Sequence, residues 1–233
     1  MRLKKLAILV IILLNVFLIS AYGLFQLSKS RTFQFFGGLV DRVETNKKVI
    51  ALTFDDAPTE YVKDVLQILD EKNVKATFFV IGQQIEKYPD TTKEIVQKGH
   101  ELGNHSYSHK RMVLKWPKFI DDEIKKTNKL IKDSGYSGEI HFRPPNGKKL
   151  FFLLWYLANH NMKTIMWDVE PDTYGDSEEF LINYVVENSN PGSIILMHPF
   201  CQSCQNDRNA LGKIIDKLQS KGYQFVTISE LLK

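Results

Sequence analysis

Lys48-Val49-Ile50-Ala51-Leu52-Thr53-Phe54-Asp55-Asp56-Ala57-Pro58 is the stretch on which the reading of this chain turns. It runs apolar and β-prone from Val49 to Phe54, then presents two carboxylates in succession and closes on a proline. The apolar run reads as a strand. Adjacent carboxylates leaving such a strand repel each other and are costly to desolvate, and a cation or paired positive charge relieves both problems. Taken alone, Asp before Pro58 also suits a plain strand-end turn.

Working outward, the same rhythm recurs. Residues 61–70 carry Val62, Val65, Leu66 and Leu69 at helical spacing, and 76–81 (ATFFVI) read as a strand. Residues 89–98 read as a helix with Pro89 at its start and Gly99 just past its end. Residues 101–104 follow as a short strand, and 119–134 as a helix with Ile120, Ile124, Thr127 and Ile131 on one face. Residues 140–142 are strand-like, 150–160 helical, 163–167 a strand and 178–188 helical. Residues 193–197 (SIILM) make a buried strand after the turn pair Pro191-Gly192. Residues 210–221 are a helix, 224–228 a final strand, and Ser229 is expected to cap a terminal turn. About seven strands alternating with helices, without internal repeat, imply an α/β fold of parallel strands covered by helices. An open doubly wound sheet and a closed barrel both fit. No Gly-rich phosphate loop follows the first strand, which argues against nucleotide binding. The reading adopted is an incomplete barrel.

The 233 residues are 43% hydrophobic and 25% charged, enough for a core built by ordinary burial. The net charge of +4 is spread among interspersed acidic residues, so nothing suggests a nucleic-acid surface. Nor does any segment suggest an obligate protein partner. Upstream, Arg2, Lys4 and Lys5 precede an uncharged apolar stretch over 6–28. At about 1.5 Å per residue, roughly 20 residues cross the hydrocarbon core. The stretch exceeds a typical cleaved signal core of about 7–15 residues, though Ala21 and Gly23 offer a small-residue cleavage site. The chain therefore divides into a signal-anchor or transmembrane segment (1–28), a weakly patterned linker (29–46) and a folded α/β domain (47–233). Membrane contact is assigned to 6–27. The flanking positive charge places the domain outside the cell membrane, single-pass if the segment is retained, secreted if it is cleaved.

Chemistry in α/β barrels gathers at the C-terminal ends of strands. Asp55 and Asp56 end the first strand here, His105 and His109 follow the third, Arg143 the fourth, Asp168 and Glu170 the fifth, and His198 the sixth. Two histidines four apart share a face in a helical or turn conformation, and with a carboxylate they suit zinc while leaving a position open for water. Hydrolysis at such a site needs a base and an acid, and His198 is the candidate acid. Successive strand residues point to opposite sides, so Asp55 and Asp56 are expected to differ in role unless the strand has already ended.

Five motifs now stand in order: Thr53-Phe54-Asp55-Asp56-Ala57-Pro58, His105-Ser106-Tyr107-Ser108-His109, Arg143-Pro144-Pro145-Asn146-Gly147, Trp167-Asp168-Val169-Glu170 and Leu196-Met197-His198. Together they resemble the NodB-like polysaccharide deacetylases of the fourth carbohydrate esterase family. The resemblance implies a distorted (β/α) barrel and a metal held by Asp56, His105 and His109, usually zinc, with cobalt or another divalent ion in some members. It implies Asp55 as general base oriented by Arg143, and His198 as general acid tuned by a fourth-motif carboxylate. Glu170 is chosen for that tuning, with Asp168 and Asp172 as alternatives. A backbone N–H near Asn146 is implied to meet the oxyanion. Trp167 and Leu196 are implied to line the acetyl pocket, with Pro144 and Pro145 among the substrate-binding residues. The implied partner is an N-acetylated glycan outside the cell, peptidoglycan N-acetylglucosamine or N-acetylmuramic acid foremost, with a catalytically impaired glycan-binding module as the alternative.

Three positions depart from the family pattern. Ala57 replaces the usual glycine after the Asp pair, Asn146 replaces an aromatic, and the fourth motif runs Glu170-Pro171-Asp172-Thr173-Tyr174 instead of two spaced acids with a tryptophan. The only cysteines, Cys201 and Cys204, fall just after His198, where a local disulfide and free thiols both remain open.

Overall fold

The structure is a computed structural model and describes residues 2–233. At its centre lies β2 (Val49–Ala57). One edge of β2 pairs in parallel with β6 (Ile194–Met197). The other carries β7 (Gln224–Val226) along Val49–Ala51 and β3 (Thr77–Val80) farther on. β4 (Glu101–Asn104) continues the parallel sheet beyond β3.

Closure beyond β4 is irregular. Residues 140–142 form no strand. Phe142 alone bridges Asn104 to Thr164, and the expected strand over 163–167 shrinks to β5 (Thr164–Ile165). Pro144 has no N–H to carry the ladder past Phe142, and a side chain takes its place. Arg143 donates from Nε to the Ile165 carbonyl at 3.2 Å and from Nη2 to the Met166 carbonyl at 3.1 Å. Val169 then bridges to Ile195 and completes the ring. The segment read as a linker also joins in, since β1 (Leu39–Val40) pairs in parallel with β5.

The period of β2 sorts its side chains into two layers. Ile50, Leu52 and Phe54 face outward into a core shared with α2 (Val62–Glu71), α4 (Pro89–Gln97), α7 (Glu178–Asn188) and α8 (Gln205–Ser220). Ala51 faces inward with Phe79, Ile194 and Leu196. A short helix that the spacing does not announce, α3 (Gly82–Lys87), follows β3, and α5 (Pro117–Asp133) and α6 (Phe151–Asn159) cover the β4–β5 side. The cap of the terminal helix α9 (Ile228–Leu231) is Thr227, in a capping box with Glu230, not Ser229. Ser229 instead donates to the buried Glu101 carboxylate at 2.6 Å. At the other end, α1 (Arg2–Ser28) is a single apolar helix long enough to cross a membrane.

Candidate active site

The two aspartates reach one cleft because β2 stops being regular between them. Its register against β3 shifts between Phe54 and Ala57, and Asp56 takes a left-handed φ of 67°. Such a conformation is unfavourable for a non-glycine residue and tends to occur where function holds it. Asp55 is thereby buried while Asp56 stays half-exposed beside it.

Asp55 Oδ1 accepts from Arg143 Nη1 at 2.8 Å, and the same Nη1 donates to Thr53 Oγ1 at 2.9 Å. The guanidinium is wholly buried and lies 4.0 Å from the Phe79 ring centroid. Burial alone raises a carboxyl pKa. The charges of Arg143, His105 and His198 outweigh it and hold Asp55 below its usual range.

Asp56, His105 and His109 converge, with one donor atom from each within 4.8 Å of the others. Asp56 Oδ1 lies 3.3 Å from His109 Nε2 and 3.7 Å from His105 Nε2. His105 Nδ1 lies 2.8 Å from the Arg143 carbonyl, which fixes that nitrogen as the donor and leaves Nε2 as a lone-pair ligand. The histidines sit on a turn, not a helix, with positive φ at Ser106 and His109. Glu123 of α5 staples this turn, accepting from the backbone N–H groups of Tyr107 (3.0 Å) and Ser108 (2.8 Å). Asn104 accepts from Ser106 N at 2.7 Å. Neither Glu123 nor Asn104 stands out in sequence, since Glu123 lies 16 residues from the turn it organises. Burial and the neighbouring His105 lower the His109 pKa, keeping its imidazole neutral. Asp56 Oδ1 is buried without a hydrogen-bond partner among the described residues. An orphaned carboxylate oxygen beside two imidazole nitrogens fits a divalent cation and little else.

Across the cleft, His198 Nδ1 lies 2.7 Å from Asp172 Oδ2. The carboxylate facing the imidazole is therefore Asp172, and the expectation for Glu170 is corrected. Glu170 accepts from Trp167 Nε1 at 3.1 Å and pairs with Arg31 at 3.4 Å, so it clamps the indole instead. Asp168 accepts from Ser193 Oγ and Ile194 N and is structural. Burial disfavours the His198 cation, but the Asp172 hydrogen bond and the charges of Asp55, Asp172 and Asp56 raise its pKa to about 9. Asp207, in the first turn of α8, lies beside Asp172 and carries no signal in the sequence. Burial and the Asp172 charge push its carboxyl up to about 7.

An inner cavity of about 130 Å³ is lined by Asp55, Asp56, His105, His109, Trp167, Leu196 and His198, together with Asn146, Gly147 and Glu170. Pro144 and Pro145 do not reach it. They are buried and set the short 3₁₀ turn over Pro145–Gly147. Gly147 has φ 64°, and a Cβ there would meet Trp167 at 2.9 Å. The exposed Asn146 accepts from Arg111 Nε at 3.1 Å, so a polar contact occupies the aromatic's place. A wider cleft of about 520 Å³ continues outward past Asp56, His109 and His198 to Phe200 and the disulfide joining Cys201 and Cys204.

The arrangement pairs an ionised buried carboxylate with a protonated imidazole across a cation-ready triad. The sequence profile of the family described as polysaccharide deacetylase matches residues 42–165, more than half of the chain. The chain belongs to that family. Among similar proteins, a peptidoglycan-N-acetylglucosamine deacetylase of Bacillus cereus is 38% identical over 192 residues, covering 81% of this chain and 70% of its own. A solved peptidoglycan N-acetylglucosamine deacetylase superposes with a TM-score of 0.78 at 36% identity, covering 82% of this chain and 91% of its own. A pseudoenzyme of the fourth carbohydrate esterase family from Bacillus anthracis superposes with a TM-score of 0.76 at 33% identity, covering 86% and 70%. This polysaccharide deacetylase is thus a hydrolase with the distorted barrel expected of its family and an Asp-His-His candidate metal site.

Proposed function

We propose that this deacetylase removes N-acetyl groups from peptidoglycan, at N-acetylglucosamine or N-acetylmuramic acid, on the outer side of the membrane to which α1 anchors it. The observation that carries the reading is the juxtaposition of Asp55, held ionised by Arg143, with the protonated His198–Asp172 pair around one cavity sized for an acetyl group.

Asp56, His105 and His109 would hold the metal, zinc in the first instance. A divalent ion there supplies Lewis acidity, polarising the amide carbonyl and acidifying water. Every other role falls to the chain. Asp55 takes the proton of the attacking water, which requires the carboxylate form that Arg143 secures. His198 delivers a proton from its ring to the departing amine nitrogen. The C–N bond breaks, and acetate and the free amine leave. Trp167 and Leu196 close the apolar end of the inner cavity against the acetyl methyl, and Arg31 and Glu170 keep the indole in place. The outer cleft offers room for the rest of the sugar chain.

The likeness to a pseudoenzyme motivates the alternative of a glycan-binding module without turnover, and the intact Asp55 and His198 weigh against it. Acetate release by the full-length chain from peptidoglycan, chitin oligomers and poly-N-acetylglucosamine decides among substrates. The reading requires peptidoglycan to be preferred, chelation to stop release and zinc to restore it. Binding of these glycans with no acetate from any of them would establish the alternative.

A further inference from the structure

Helix α6 has the sequence FFLLWYLAN. Leu153, Leu154, Tyr156 and Leu157 are buried beneath it, yet Phe151, Phe152 and Trp155 on the other side are exposed. A helix apolar all round is normally covered on every side. The exposed side is extended by Phe36, Pro117 and Trp116, the last 75% exposed and stacked on Phe152 with centroids 6.2 Å apart. A contiguous aromatic patch of this kind marks an interaction surface.

We propose that this patch docks onto the lipid bilayer, so that the catalytic domain lies on the membrane rather than swinging from it. The inference rests on the reading of α1 as a retained anchor. Three observations identify the occupant. First, the 27 residues of α1 span about 40 Å at about 1.5 Å each, against a hydrocarbon core of about 30 Å. The last turns of the helix therefore emerge among the headgroups. Secondly, those turns are tied to the residues that lead into α6. Lys149 donates its backbone N–H to the Ser28 carbonyl at 2.8 Å, its Nζ donates to the Ser30 carbonyl, and Lys148 Nζ lies 5.1 Å from the Phe25 ring centroid. Phe151 follows two residues later, so the patch begins at headgroup height. Thirdly, its chemistry is that of an interfacial belt, tryptophan and phenylalanine with Lys115 beside Trp116, Lys148 shortly before Phe151, and Lys29 directly after α1. The catalytic cavities share no residue with the patch, so docking covers none of the residues that line the cleft.

The test uses the full-length chain in vesicles of phosphatidylcholine and phosphatidylglycerol whose acyl chains carry bromine near the headgroup. Two of the three tryptophans, Trp116 and Trp155, lie in the patch, and the third, Trp167, lies in the cleft. The native chain is expected to lose emission relative to unbrominated vesicles, because indoles of an interfacial belt sit at headgroup level. The W116F/W155F variant should lose almost none. Equal quenching of the two overturns docking. Adding F17W to the double variant, in vesicles brominated instead near the acyl-chain ends, reports on α1 itself, because residue 17 lies at the middle of the apolar stretch. If the indole introduced there is quenched while Trp116 and Trp155 of the native chain are not, the anchor stands and docking falls. If the introduced indole is unquenched as well, the anchor reading falls with it.

Discussion

Arg143 Nη1 lies 2.8 Å from Asp55 Oδ1, and both side chains are sealed from solvent. Breaking a buried pair by removing one partner strands the other charge and costs about 3–5 kcal/mol. Arg143→Met is therefore expected to lower the unfolding free energy by about that amount in urea denaturation. Asp55→Asn, which removes the proposed base, should lower kcat by about 10²–10⁴-fold. An Asp55→Asn enzyme releasing acetate at the native rate would contradict the base assignment.

His198 provides a pH prediction. Its folded pKa is raised to about 9, so its pairing with Asp172 stabilises the fold fully below the unfolded value and loses that effect as pH rises through about 9. NMR titration of the metal-free protein should find the imidazolium persisting well above neutrality. In Asp172→Asn the midpoint should fall towards the ordinary histidine value, whereas Glu170→Gln should leave it in place. The alkaline limb of the rate profile should move with it in the first variant only.

Asp207 has the opposite sign. Its folded pKa of about 7 lies above the unfolded value, so the native state holds the extra proton and stability declines as pH rises from about 4 towards 7. Asp207→Asn removes that decline. The variant is expected to resist urea better than the native chain at pH above 7 and to match it in acid. A native-like pH dependence in the variant would count against the placement beside Asp172.

Metal binding is expected at one ion per chain by calorimetry. His109→Ala should weaken zinc binding by at least an order of magnitude, because a site of three protein ligands loses one. Glu123→Gln touches no ligand, yet it weakens the acceptor that holds the turn between His105 and His109. A loss of about 10–100-fold in zinc affinity is the range expected for such supporting groups. Unchanged affinity would show that the turn holds itself.

The regular parts of this fold are legible because they obey simple periods. The pattern delimits residues 101–104 and 178–188 as they stand in the structure. The misreadings fall where a side chain replaces backbone pairing or where partners come from afar. Residues 140–142 look like a strand, but the ladder stops at Phe142 because Pro144 has no N–H for the Ile165 carbonyl, and the Arg143 guanidinium takes that place. Spacing does not choose between Glu170 and Asp172 as the carboxylate facing His198, because Arg31 and Trp167 claim the former only in three dimensions. Glu123 is hidden as one of four acidic residues on an ordinary amphipathic helix.

The guanidinium of Arg143 does two jobs through different nitrogens. Nε and Nη2 stitch the barrel seam at Ile165 and Met166, while Nη1 grips Asp55, the base proposed above. Structural integrity and catalytic readiness thus share one bolt. A molecule in which that bolt is not home has both an open seam and an unsecured base. Closing the seam and restraining Asp55 are therefore one event, and a chain with the seam open leaves that carboxylate unheld.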